Sequence, residues 1–282
     1  MAISTALGER RDVQLPDGTI AYRERGSGPP LVFVHGVFVN GDLWRRLVPL
    51  LADEFRCVVP DMPLGAHAAP MRADADLSPP ALARLVADFL AALDLREVTL
   101  VGNDTGGAFC QLVVADHPER IGRLVLTNCD AFERLPPPLL RPLWWGARIP
   151  GALLGIGQVL RLRPARRAFM ATVAHRAPEG TILDSFFRPL LEDPGVRRDI
   201  AKVLRGISNR YTLRAAASFP AFDRPVLIAW GEQDVFFPLR YAERLAEAFP
   251  DARLERIPGS RTFVPEDHPE ALAKLIAGFV RE

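Results

Sequence analysis

Cysteine is scarce in this chain of 282 residues. Only Cys57, Cys110 and Cys129 occur, each in or beside an apolar run and none at metal-ligand spacing. That excludes a disulfide framework and a cysteine-held metal, and it fits reduced, buried thiols in a cytoplasmic protein. Charge of one sign is lacking too. Thirty-five Lys and Arg face 34 Asp and Glu, so nothing points to nucleic acid as the partner. No low-complexity tract suggests disorder. The first residues, "MAISTALGERRDVQ", have neither the basic region nor the apolar run of a signal peptide. Long hydrophobic runs are missing as well. The best stretch, Trp144 to Leu160, is broken by Arg148 and Pro150 and is too short to span a bilayer. It is expected to cover a pocket, and the "RLRPARR" that follows is expected to be a solvated basic face. What the chain does have is 49% apolar residues, enough for a large core. Its length suits one domain with an insertion.

"DVQLPDGTIAYRERG" reads as two strands joined by a turn at Pro16-Asp17-Gly18. "PPLVFVHG", "FRCVVPD", "VTLVGND", "IGRLVLTNCD" and "RPVLIAWGEQD" are continuous apolar runs, as strands buried on both faces require. "ARLERIPGS" is a shorter sixth. Helical spacing follows Ser78-Pro79, which read as N-cap and first-turn proline. Buried strands alternating with helices predict an α/β fold, a mostly parallel, doubly wound sheet. Residues 131–220 break the rhythm. They are rich in Pro and Arg with helical apolar spacing, and are expected to form an all-helical cap over a core of residues 1–130 and 221–282. His35, Asp61, Asp104, Asp130 and Asp234 all fall at carboxyl ends of strands, where such sheets bind ligands.

"VGNDTGG" is the most informative heptapeptide. Gly102, Asp104 and Gly106 form G-x-D-x-G between a strand and a helix, the spacing of a nucleophile elbow with aspartate at its tip. The turn exposes the central residue, and the flanking glycines leave room for crossing backbones. The dipole of the following helix favours an ionised carboxylate, which can attack an electrophilic carbon. The plain alternative is that Asp104 only caps the helix.

With these residues the chain resembles the α/β-hydrolase superfamily, in its aspartate-nucleophile branch of haloalkane dehalogenases, epoxide hydrolases and fluoroacetate dehalogenases. The likeness runs from "TIAYRERGSGPPLVFVHG" to the last helix. It implies that the backbone amides of Val37 and Thr105 form an oxyanion-type pair and that Asp234, in "WGEQD", serves as the acid, with Asp130 as the other option. It implies a loop and helix after "HG". It also implies a histidine in the loop after the last strand. Here "IPGSRTFVPEDHPE" places Arg261-Thr262 where Gly-His belongs. Arg261 is then expected to pair with the unemployed Asp234. Other departures are Thr105 in place of the halide-binding tryptophan and Val37 in place of asparagine. Trp144, Trp145 and Asn40 are the candidate replacements, and Tyr211 the candidate proton donor. His35 is expected to be structural.

The expected function is an α/β-hydrolase-fold enzyme using Asp104 on a small, mostly apolar substrate with an ester, epoxide or carbon–halogen bond. Two alternatives stand beside it. One is a non-hydrolytic enzyme (lyase, cyclase or isomerase) using Asp104 for proton transfer; the other is a binding protein without turnover. No metal, cofactor or membrane span is expected, and a homodimer is left open.

Overall fold

Eight strands form one sheet in the computed structural model, which describes residues 1–149 and 151–282 and the side chains of all of these except Leu143 and Leu153. The strands are β1 (Glu9–Leu15), β2 (Gly18–Arg25), β3 (Pro30–Val34), β4 (Arg56–Pro60), β5 (Val98–Asp104), β6 (Ile121–Cys129), β7 (Val226–Gly231) and β8 (Ala252–Ile257). Their spatial order is β1-β2-β4-β3-β5-β6-β7-β8. β1 and β2 are an antiparallel pair and β2 runs antiparallel to β4; from β4 to β8 every pairing is parallel. The apolar runs of β3 to β7 are buried almost throughout because helices cover both faces.

The helices are α1 (Val48–Leu51), α2 (Pro79–Ala92), α3 (Thr105–Asp116), α4 (Arg141–Gly146), α5 (Ala152–Leu160), α6 (Arg163–Val173), α7 (Gly180–Glu192), α8 (Pro194–Gly206), α9 (Asn209–Ser218), α10 (Leu239–Ala248), α11 (Val264–Asp267) and α12 (Pro269–Arg281). α2 buries Leu82, Leu85, Val86, Phe89 and Leu90 at the expected spacing. Ser78 holds the N-cap position with Pro79 after it, but its side chain makes no cap bond; its hydroxyl donates to the Asp76 carboxylate at 3.0 Å. The helix implied after "HG" is a single turn at Gly41–Trp44 and the four-residue α1, because Asn40 and Asp42 hold that segment by side-chain bonds to backbone.

Between β6 and β7 the chain is helical, α4 to α9. α9 does not ride above the sheet: it packs against the core helix α3. Pro150, read above as a break in the apolar stretch, lies outside the described residues. All three cysteines are buried and free. No helix among the described residues is long and apolar enough to cross a membrane.

The order of strands reverses beside β3. The chain steps from β3 outward to β4, then returns to place β5 on the other side of β3. A crevice opens where neighbouring connections leave in opposite directions. Val37, just beyond β3, and Asp104, the last residue of β5, lie at this point.

Candidate active site

β5 ends at Asp104 with φ 55° and ψ −136°, and α3 starts at the next residue. A non-glycine residue in this region costs about 1–3 kcal/mol and is held only by its surroundings. Those surroundings are visible. A Cβ on Gly106 would collide with the carbonyls of Val34 and His35, and one on Gly36 with the Asp104 carboxylate itself. A Cβ on Gly102 would sit 2.7 Å from the Cα of Gly107. The glycines of the heptapeptide are therefore steric necessities, and Asp104 holds the N-cap position of α3 without a side-chain cap hydrogen bond.

The carboxylate faces a narrow cavity of about 30 Å³ lined by Val37, Phe38, Trp144, Thr262 and neighbouring apolar side chains. Phe38, Leu140 and Phe169 separate it from an apolar vestibule of about 450 Å³, which Ile156, Leu160 and Phe187 also line. Phe169 meets Phe38 and Phe187 edge-on at 6.4 and 6.1 Å. A larger cavity, about 600 Å³ between the first residues and α7–α8, includes no residue of the elbow.

Burial decides the charge at the elbow. Asp104 touches solvent only through the cavity, and desolvation pushes its carboxyl up to about 7. Hydrogen bonds from the Thr105 amide and hydroxyl pull the other way, and Asp234 adds like-charge repulsion. The helix dipole, worth about 2 kcal/mol at best, is outweighed. The ionised form expected from the sequence is thus only one of two forms populated near neutral pH.

Asp234 is buried and pushed up to about 6 by desolvation. Its Oδ1 accepts from the amides of Phe236 (2.7 Å) and Phe237 (3.1 Å), and its Oδ2 from Asn128 Nδ2 (2.9 Å). Thr262 lies beside it and helps hold its charge. Arg261 does not pair with it. The Arg261 guanidinium donates to the Ala171 carbonyl in the cap, because its backbone amide is tied to the buried Asp267, which also holds the cap amides of His175 and Arg176. Asp130 is fully buried, its two carboxylate oxygens without hydrogen-bond partners; desolvation first, then Asp104, holds it well above the usual carboxylate range. Three carboxyls thus crowd one rim. Among the described residues no group of His, Cys, Asp or Glu is arranged to hold a metal ion.

No imidazole joins them. His35 accepts from the Met62 amide at Nε2 (2.9 Å) and pairs with the Gly36 carbonyl at Nδ1 (2.8 Å); burial lowers it to about 4, so it is a neutral structural group. His67 bonds Asp199 of α8, and His175 bonds Gln233 at the surface. Asn40 is also committed, donating to the Ser185 carbonyl at 3.1 Å. Trp145 is 67% exposed, and neither it nor Tyr211, whose hydroxyl takes up Arg210, lines the cavity or vestibule. Trp144 does line the cavity, and its indole N–H is buried without a partner, as is the Thr262 hydroxyl oxygen by hydrogen-bond geometry.

Two site residues escape the sequence reading. Asn128 closes on Gly231, accepting from its amide at 2.6 Å and donating to its carbonyl at 2.9 Å, while also holding Asp234. Asn103 donates to the Thr262 carbonyl at 2.7 Å and to Thr127 Oγ1 at 2.8 Å, fixing the loop at Thr262. The signal for both is a polar residue inside an otherwise apolar strand, which must be satisfied to be tolerated. Asn128→Ala is expected to lower stability by about 3 kcal/mol, from orphaned buried groups, and urea unfolding measures it.

A family model described as alpha/beta hydrolase fold matches residues 29–156 and 197–269. The chain belongs to the α/β-hydrolase fold family. It is similar to haloalkane dehalogenase 2 of Mycobacterium tuberculosis (strain H37Rv), 28% identical over 273 residues covering 92% of this chain and 90% of the relative. The haloalkane dehalogenase of Mesorhizobium japonicum is 26% identical over 291 residues, covering 97% and 92%. Among solved structures, haloalkane dehalogenase DbeA from Bradyrhizobium elkani superposes with a TM-score of 0.80 at 21% identity, covering 97% of each chain. At that identity the superposition speaks for the α/β-hydrolase fold alone.

Proposed function

We propose that this α/β-hydrolase is an enzyme acting on small, mostly apolar substrates with an ester, epoxide or carbon–halogen bond, and that Asp104 is its reacting carboxylate. The observation that carries the reading is the strained Asp104 facing an apolar passage. Similarity to haloalkane dehalogenases supports it.

In the first half-reaction Asp104 Oδ attacks the electrophilic carbon. A carbon–oxygen bond forms while the leaving group departs with its electron pair. The unpaired Trp144 N–H is the donor available to that group. In the second half-reaction water must attack the aspartyl ester, and in this reading the amides of Val37 and Thr105 hold the oxyanion. That water needs a base, which supplies roughly a hundred- to ten-thousand-fold. Thr262 cannot act as one at neutral pH. Asp234 is a poor substitute, since its oxygens are already taken by three hydrogen bonds. The ester is therefore expected to accumulate.

Intact mass tests this. A short bromoalkane should add one alkyl group, or a terminal epoxide one hydroxyalkyl group, to the wild type and none to Asp104→Asn. Equal labelling of both proteins would sink the nucleophile assignment.

A second reading has its own support. A carboxyl at about 7 beside no imidazole suits proton transfer in a lyase or isomerase reaction. The pH profile separates the two. Alkylation needs the ionised form and rises through pH 7 to a plateau; proton donation from Asp104 falls over the same range.

A further inference from the structure

Among the described residues, the outer face of α4 to α6 has no partner within the chain. Six of the ten large apolar side chains exposed among the described residues fall between positions 139 and 162. They are Leu139, Trp145, Ile149, Leu154, Val159 and Leu162, and Leu139 and Trp145 are about two-thirds exposed. Scattered single exposures need no explanation, but a concentration of this kind marks an interaction surface. α5 sharpens the point. It has no charged residue, and only Gln158 is polar. Its inner side lines the vestibule through Ile156 and Leu160, while Leu154 and Val159 face outward. A helix apolar on every side is stable when every side is covered.

Charge says what the cover is. From Arg134 to Pro178 the chain carries eight arginines and no aspartate or glutamate. Two cavities flank the apolar residues. One, about 250 Å³, is lined by Arg161, Arg163, Arg166 and Arg188 with Asp184 and Glu192. Arg166 is buried there, bonded to Asp184 at 2.6 Å, with its Nε lacking any partner. The other, about 300 Å³, joins Ile149 and Leu154 to Arg197, Arg198 and Arg205. Guanidinium forks match phosphate oxygens in geometry and charge. A second copy of the chain fits badly, because a two-fold contact through this face sets arginines against arginines.

We propose that the α4–α6 face docks on a bilayer bearing anionic phosphate headgroups. Trp145 and its apolar neighbours enter the headgroup–acyl boundary, and the arginines engage the phosphates. The vestibule wall on the inner side of α5 then lies close to the acyl phase, from which an apolar substrate can enter without crossing water. This surface is independent of the reaction assigned to Asp104.

Flotation with vesicles of phosphatidylglycerol and phosphatidylcholine, against phosphatidylcholine alone, is the test. The full chain should float with the mixed vesicles and not with phosphatidylcholine, and added salt should release it. Trp44, Trp144 and Trp230 are buried, so a vesicle-induced blue shift in tryptophan fluorescence reports Trp145 and should vanish in Trp145→Phe. Leu154→Glu, and separately the pair Arg161→Glu and Arg163→Glu, should each weaken binding by about tenfold or more. These side chains are exposed, so thermal unfolding should match wild type; if Leu154→Glu fails to fold, the arginine pair carries the test. No flotation, or equal flotation with phosphatidylcholine alone, overturns the proposal. So does a dimer in light scattering that dissociates in Leu154→Glu, since a second copy would then be the cover.

Discussion

Thr262→His is expected to turn the proposed single turnover at Asp104 into multiple turnover. Position 262 lies between the two carboxyls that an imidazole must bridge. Thr262 lines the cavity at Asp104 and sits beside Asp234, and its hydroxyl oxygen has no partner in strict geometry. Asn103 already fixes the backbone of that residue through its carbonyl, so the new side chain is held in place from below. The ring takes up the small cavity and gains Asp234 as its orienting acid. A positive imidazolium beside Asp104 also favours the ionised nucleophile. Hydrolysis of the aspartyl ester should rise by roughly a hundred- to ten-thousand-fold, the usual worth of a positioned base. The measurement is steady halide release past the first equivalent, with the wild type stopping at one, or diol release from an epoxide, with the wild type giving none. A variant that folds, forms the adduct and still stops would show that a second defect lies beyond position 262.

Asp104→Asn should make the fold more stable at pH 8 and leave it nearly unchanged at pH 4. The carboxyl is raised from its ordinary 3.8 to about 7. A group raised by folding contributes stability that is complete below its unfolded value and lost as pH climbs through its folded one. Between pH 4 and 7 the wild type progressively forfeits this contribution, because the unfolded chain has already released the proton. A displacement of that size corresponds to about 4 kcal/mol for a dry site. Water entering through the cavity softens it, and about 2 kcal/mol is the expected gain for the neutral amide. Denaturant midpoints at the two pH values measure it. An equal effect at both would mean that Asp104 titrates near its ordinary value. Asp234, raised to about 6, adds a loss of the same sign over the lower part of that window, common to both proteins.

The sheet was legible because strands covered on both sides must be apolar throughout, and the runs ending at Val34, Pro60, Asp104, Cys129 and Gly231 say so directly. The elbow was legible for a steric reason: only glycine fits at 102 and 106 beside a crossing backbone. Asp104, Thr262 and the inward-facing Trp144 could be named from local pattern. The protonation of Asp104 could not, because dipole and burial oppose each other and the degree of burial depends on cap residues distant in sequence. The roles of Asn103 and Asn128 hid for a related reason, since their partners Thr262 and Gly231 lie 159 and 103 residues away. Arg261 and Trp145 misled because periodicity does not tell which way a loop or a short cap helix turns its side chains.

The loop that carries Thr262 also stitches the roof to the floor. Asp267 takes the amides of His175 and Arg176 (2.7 and 2.9 Å) together with that of Arg261 (2.9 Å), and the Phe263 amide reaches the Val173 carbonyl at 2.8 Å. The carboxyl end of α6 is therefore clamped where Phe169, one turn earlier, guards the passage. With that end of α6 held, any movement that admits a substrate is expected on the α4–α5 side of the vestibule.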